Sequence, residues 1–359
     1  MAYYYFLLII SFGFLFSKIN YLIGKYIYIF LIAFLFVISA FRVGVKPDYY
    51  NYEYFYNLIS SGYDFYQYGL YGVEYSFLII SSLFSEFESG FRYTLILYSL
   101  LTMLFIGLAY PKLTKEPILA VAIYYSFFFI VRDMGVIRAG LAYAILIYAL
   151  VFYSERKILL FSIFVLFASV FHQSAMVFFV LMIFYFHNPN SDKLFYILVF
   201  SVIFYIFGMS HLIIEVLSSG GGYVSGKFQD YGKESELNYV LGFLDINNIK
   251  NFLLSLVGIH LFRKKIVSGN LFNVLLMVFI VGTCVRIVFL DFSSIAGRLS
   301  SIFMSVEPLY ISMLVGSINN IRYKIIAYIM LFLYCFGMLY LGIEKYETLE
   351  YQTVIEEIY

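Results

Sequence analysis

The segment Ile137–Met176, IRAGLAYAILIYALVFYSERKILLFSIFVLFASVFHQSAM, decides how the rest of the chain is read. It holds two apolar runs, Gly140 to Tyr153 and Ile158 to Phe171. At a rise of about 1.5 Å per residue each is long enough to cross or nearly cross a bilayer core. Between them lies Glu155-Arg156-Lys157. Cytoplasmic turns carry the Lys/Arg excess, so this one is placed inside, and the far ends, Arg138 and His172, emerge together on the opposite side. One helical hairpin thus delivers a guanidinium and an imidazole to the outer rim of a membrane. Ionisable groups at that depth are costly unless paired or useful, which makes this rim the first place to look for chemistry.

Composition agrees with a chain that lives in lipid. Of 359 residues, 63% are hydrophobic and only 13% charged, and the mean hydropathy is +0.89. The expected fold class is an all-α polytopic membrane protein. Its apolar runs leave room for roughly 11 to 13 spanning helices and little for a soluble domain, so one integral membrane domain over residues 1–359 is expected. A net charge of +1, with the basic residues in short turns, gives no stripe for nucleic acid. Cys284 and Cys335 both lie in apolar runs and read as small hydrophobes. The opening run Ala2 to Phe16 lacks the basic start of a signal peptide and reads as a first helix with its N-terminus outside.

Along the chain, Lys18 and Lys25 mark a first inner turn, and Tyr26 to Phe41 returns outward. Residues 42–74 mix charges with a dense tyrosine series and read as an outer loop with an amphipathic helix lying at the interface. Tyr75 to Phe84 is then too short to span and reads as a re-entrant helix with Glu74 at its start. The alternative inverts the first two helices and puts Lys18 and Lys25 outside, against the charge rule. Beyond it, Arg92 to Ala109 runs in, Lys112 and Lys115 turn inside, and Ile118 to Val131 runs out to Arg132 and Asp133. After His172, Ala175 to Phe186 leads to the turn His187-Asn188-Pro189-Asn190, and Leu194 to Met209 runs out.

Residues 210–250 form the longest polar stretch, a second outer loop with Gly220-Gly221-Gly222 and the tyrosines Tyr223, Tyr231 and Tyr239. Asn251 to Phe262 leads to the inner turn Arg263-Lys264-Lys265, Leu271 to Leu290 runs out to Asp291, Ile302 to Gly316 runs in from Arg298, and Ile325 to Leu341 runs out. No internal repeat is visible.

This map gathers Arg42, Asp48, Glu74, Arg132, Asp133, Arg138, His172, Arg286, Asp291 and Arg298 on the outer rim. Arginine is informative there, because its planar fork grips phosphate oxygens in pairs and stays charged when partly buried. The blander reading is that such arginines snorkel to lipid phosphates or pair with Asp133 and Asp291. A carboxylate among apolar walls is made more basic, which suits a group that takes a proton from a sugar hydroxyl. Asp48 and Glu74 qualify by position, although Asp48 also suits a helix cap. His172 also suits a tight turn, and Glu307-Pro308 reads as a kink with a locally paired acid. No metal-ligand spacing, phosphate loop or nucleophile elbow is present.

Three places together resemble the O-antigen and exopolysaccharide repeat-unit polymerases of the EpsG/Wzy type. Phe41-Arg42-Val43-Gly44 followed by Pro47-Asp48-Tyr49-Tyr50-Asn51-Tyr52, with Glu74 after it, resembles the family's arginine and Gly-x-Asp-Tyr-like loop. Ile137-Arg138, Leu141-Ala142, the basic turn and Phe171-His172-Gln173-Ser174-Ala175 make the most specific match. Gly297-Arg298 resembles the family's last arginine segment. The departure is Val45-Lys46-Pro47, inserted where the family often has one residue.

The resemblance implies a GT-C-like glycosyltransferase of the Gram-negative inner membrane with its active site facing the periplasm. It would move a growing glycan from undecaprenyl diphosphate onto the next lipid-linked repeat unit, without nucleotide sugar, cofactor or catalytic metal. The partners implied are those lipid-linked oligosaccharides, the bilayer and a chain-length regulator. The expected catalytic residues are Asp48, Glu74 and His172, with an acid as general base and His172 holding substrate or positioning the acid. Arg42, Arg132, Arg138 and Arg298 are the expected diphosphate ligands. A lipid-linked oligosaccharide flippase or an O-antigen ligase would also need outer arginines, and these remain the alternatives.

Overall fold

The computed structural model describes residues 2–44, 48–62, 73–187, 189–220, 225–226, 228–229, 239–345 and 352–353. Almost all of them are helical, and the protein is a polytopic helical membrane protein. The expected features at Val45-Lys46-Pro47, Asn188, Gly221, Gly222, Tyr223 and Tyr231 lie outside the described residues. Among the described residues, five helices are long and apolar enough to span, or seven if two bent pairs are each one span. Those pairs are Ser191–Ile206 with Met209–Ser219, bent by 79°, and Ser293–Met304 with Glu307–Gly316, bent by 50°. The expectation of 11 to 13 counted every apolar run as a span. Ala2–Ser17, Ile158–Phe171 and Gln173–His187 are apolar but shorter, and hydropathy alone does not separate a short or broken helix from a full one.

The chain divides into two compact units, one of residues 1–176 with 311–359, the other of residues 177–310. In the first unit come α1 (Ala2–Ser17), α2 (Tyr21–Ala40), β1 (Arg42–Val43), α3 (Tyr49–Ser60), α4 (Tyr75–Leu83), α5 (Gly90–Leu113) and α6 (Pro117–Ile123). A π-helix, Tyr124–Asp133, continues α6, and α7 (Ile137–Ser154) and α8 (Ile158–Phe171) follow. α7 is apolar and buried nearly all round, the mark of a central helix. Gly140, Ala142, Ala144 and Ala149 keep it slim enough for α5, α8 and the π-helix to pack close.

The turn from α7 to α8 is closed by Arg156 in the left-handed conformation (φ 62°), with the Lys157 N–H bonded to the Phe152 carbonyl at 2.8 Å. That is a helix-ending motif usually built on glycine. A basic residue there also meets the negative end of the helix dipole. β1 pairs antiparallel with a short C-terminal strand, β2 (Gln352–Thr353).

The second unit holds α10 (Ser191–Ile206), α11 (Met209–Ser219), α12 (Ile246–Arg263), α13 (Asn270–Val288) and α14 (Ser293–Met304). α9 (Leu181–His187) precedes them, and α15 (Glu307–Gly316) and α16 (Ile321–Lys345) complete the chain. α13 is the buried centre of this unit, packed against α10, α12 and α14. α12 ends as α7 does, with Lys265 left-handed (φ 56°) and the Ile266 N–H bonded to the Leu261 carbonyl at 3.0 Å. At Gly258 a Cβ would lie 1.9 Å from the Tyr310 hydroxyl, so glycine is what lets that hydroxyl reach the Leu254 carbonyl at 2.9 Å.

Candidate active site

Glu74 stands at the N-cap of α4, where an acid would ordinarily accept from the helix's first N–H groups. It makes no such bond. Its carboxylate turns to the central hairpin, where one oxygen pairs with Nη1 of Arg138 and the other lies 2.9 Å from Nδ1 of His172. Arg138 is the second residue of α7 and His172 follows the last residue of α8, so two antiparallel helices bring both to one end. The three side chains are mostly enclosed, with exposures of 10% for Glu74, 19% for Arg138 and 30% for His172. α4 has nine residues, about 14 Å of helix against a core of about 30 Å, so it does not span.

Aromatic rings surround this triad. Arg138 lies over the Tyr52 ring at 5.4 Å, and Tyr52 packs against Phe77 at 5.3 Å. Burial pushes the Tyr52 hydroxyl up, opposed by Arg138 and reinforced by the nearby Asp48, so the phenol stays neutral. Asp48 sits at the N-cap position of α3 with no side-chain cap bond, and its carbonyl accepts from the Tyr52 N–H at 3.0 Å. On the other side Tyr143 meets the His172 ring edge to face at 6.1 Å.

The arginines expected to hold a diphosphate have separate environments. Arg42 is fully buried, its Nε donating to the Met134 carbonyl at 2.8 Å and its Nη1 to the Ser39 carbonyl. Its own carbonyl accepts from Arg92 at 2.5 Å. Arg42 therefore clamps the end of α2 to the chain after the π-helix, buried rather than outward-facing, and its Nη2 is left without a protein partner among the described residues. Arg132 is 6% exposed, and its guanidinium lies over the rings of Phe128 (4.5 Å) and Tyr143 (4.6 Å). That also departs from an outward-facing fork. Asp133 accepts from the Tyr124 hydroxyl at 2.6 Å. Arg298 is exposed on α14 in the second unit.

The second unit has polar pairs of its own. Arg286 Nε donates to Asn248 at 2.5 Å, and Asp245 lies 3.5 Å from its Nη2. Asp291 accepts from Ser210 at 3.1 Å. Glu307, before Pro308, is buried against Lys250 at 2.6 Å, so the acid at the bend is paired. Sequence reasoning gave Lys250, Tyr52 and Tyr143 no individual role. Lys250 had a signal, a lone cation near an apolar run, but its partner is 57 positions away. Among the described residues no group of His, Cys, Asp and Glu could hold a metal ion.

No solved structure matches the chain. It is similar to the amylovoran biosynthesis protein AmsC of Erwinia amylovora, 25% identical over 258 residues that cover 70% of this chain and 67% of that protein. The model of the EpsG family matches residues 25–353, which takes in Asp48, Glu74, Arg138, His172 and Arg298. A match over most of the helical chain, triad included, places this protein in the EpsG family.

Proposed function

We propose that this protein is a glycosyltransferase that polymerises lipid-linked polysaccharide repeat units at the periplasmic face of the bacterial inner membrane. Membership of the EpsG family and likeness to an amylovoran biosynthesis protein support the reaction class. The observation that carries the chemistry is the Glu74 carboxylate held between Arg138 and His172.

The Glu74 carboxylate, set against a guanidinium, is an acceptor of hydrogen bonds. Nδ1 of His172 must then be the donor, which leaves the lone pair of the neutral imidazole on Nε2. In this reading His172 is the general base and Glu74 fixes its tautomer, where the sequence favoured an acid as base. Asp48, at the start of the helix that carries Tyr52, is proposed to orient substrate.

The acceptor sugar hydroxyl gives its proton to Nε2 while its oxygen bonds to the anomeric carbon of the donor glycan. The bond from that carbon to the phosphate oxygen breaks, and its electron pair leaves with undecaprenyl diphosphate. Arg138 meets the developing charge on the leaving group. Arg298, an exposed guanidinium of the second unit, is proposed as a phosphate ligand of that unit on its own.

Banding of surface polysaccharide after deletion of the gene tests the reaction class. A polymerase predicts a single repeat unit where the wild type shows a ladder. Loss of all repeat units would instead mean a flippase or a ligase.

A further inference from the structure

The environment of Arg132 leads past the reaction itself. A cation covered by two rings and almost wholly buried cannot offer a phosphate its fork. The π-helix puts it there, with wide-turn bonds from the Met134 N–H to the Phe129 carbonyl (3.0 Å) and from the Val136 N–H to the Val131 carbonyl (3.1 Å). Such turns recur at functional sites. Gly140 lets α7 close on the end of the π-helix, since a Cβ there would lie 3.1 Å from the Arg132 carbonyl oxygen. Tyr143, one turn later on α7, then faces Arg132 and is itself 5% exposed.

We propose that Arg132 and Tyr143 are positioning residues for His172: the guanidinium fixes the phenol ring, the ring fixes the imidazole plane, and Nε2 is thereby aimed at the acceptor hydroxyl. The inference rests on the reading of His172 as the base. A histidine ring turns in a broad torsional well. The bond from Nδ1 to Glu74 pins one vertex, and the edge-to-face contact with Tyr143, at 76° between planes, limits rotation about that vertex. A base set about 1 Å off line costs on the order of a hundredfold in rate.

The test is steady-state polymerisation by the purified full-length protein on a synthetic undecaprenyl-diphosphate repeat unit. Arg132→Met, Tyr143→Leu and Tyr143→Phe are compared, each alone and with His172→Ala. Tyr143→Leu and Arg132→Met should lower kcat at least about tenfold with KM near the wild-type value, and Tyr143→Phe, which keeps the ring, should stay within about threefold. With His172→Ala neither should lower the residual rate further.

A raised KM with unchanged kcat in Arg132→Met would return that residue to the diphosphate and overturn the inference. So would a further tenfold loss in the His172→Ala background. If Tyr143→Leu fails to fold, Arg132→Met against Arg132→Lys, which keeps a cation over the ring, reads the same contact, and equal loss of kcat in both counts against it. Wild-type activity of His172→Ala would sink the base assignment and this inference together. An inactive His172→Ala beside a normal Tyr143→Leu would overturn this inference alone.

Discussion

Glu74 and His172, 98 positions apart in sequence, meet with Nδ1 2.9 Å from a carboxylate oxygen. Residues that act as one unit lose function together rather than in sum. His172→Ala and Glu74→Gln should each slow polymer growth by about a hundredfold or more, and the double variant should be little slower than either. Multiplying losses, measured on a synthetic lipid-linked repeat unit, would show that the two act separately.

Arg138 and Arg42 should respond differently to lysine. Arg138→Lys keeps a charge but not the fork that serves Glu74 and the leaving diphosphate, so activity should fall about tenfold or more at normal protein level. Arg42→Lys strands the Ser39 and Met134 carbonyls. A buried unsatisfied group costs about 1–3 kcal/mol, so the loss should appear as lower thermal stability in detergent. Wild-type stability with a raised KM would put Arg42 at the substrate after all.

The Lys250–Glu307 pair belongs to stability. Glu307 is 4% exposed and Lys250 20%, and removing one partner of a buried pair costs about 3–5 kcal/mol. Lys250→Met should therefore lower the unfolding midpoint strongly, and Lys250→Met with Glu307→Leu should recover much of the loss. A double variant as unstable as the single one would mean that the pair does more than balance charge.

Gly258→Ala is a test of packing. The added methyl would sit 1.9 Å from the Tyr310 hydroxyl and 2.7 Å from Leu276 Cδ1. Tyr310 would have to leave the Leu254 carbonyl, at a cost of about 1–3 kcal/mol, visible as a lower unfolding midpoint. An unchanged midpoint would show that Tyr310 moves freely.

Sidedness follows from charge. Reporters inserted at Glu155-Arg156-Lys157 and at Arg263-Lys264-Lys265 should report the cytoplasm, and reporters between Gly220 and Tyr239 the periplasm. The opposite pattern at both kinds of site would invert the membrane map and move the proposed active site to the cytoplasmic face.

The sequence by itself determined that this chain is helical and polytopic, because hydropathy and run length are local properties. It also determined that Arg138 and His172 end one hairpin together, since two apolar runs joined by a three-residue basic turn have few ways to fold. Only the tertiary structure decided which acid serves that hairpin. Asp48 and Glu74 were equal candidates along the chain, and it is Glu74 that the structure bonds to both hairpin residues, across 64 and 98 positions. The same holds for the arginines. Arg42, Arg132 and Arg138 look alike in a hydropathy profile, but one holds main-chain carbonyls, one lies over two rings and one pairs with an acid. Those fates depend on a π-helical register and on contacts between distant helices, and no local pattern encodes either.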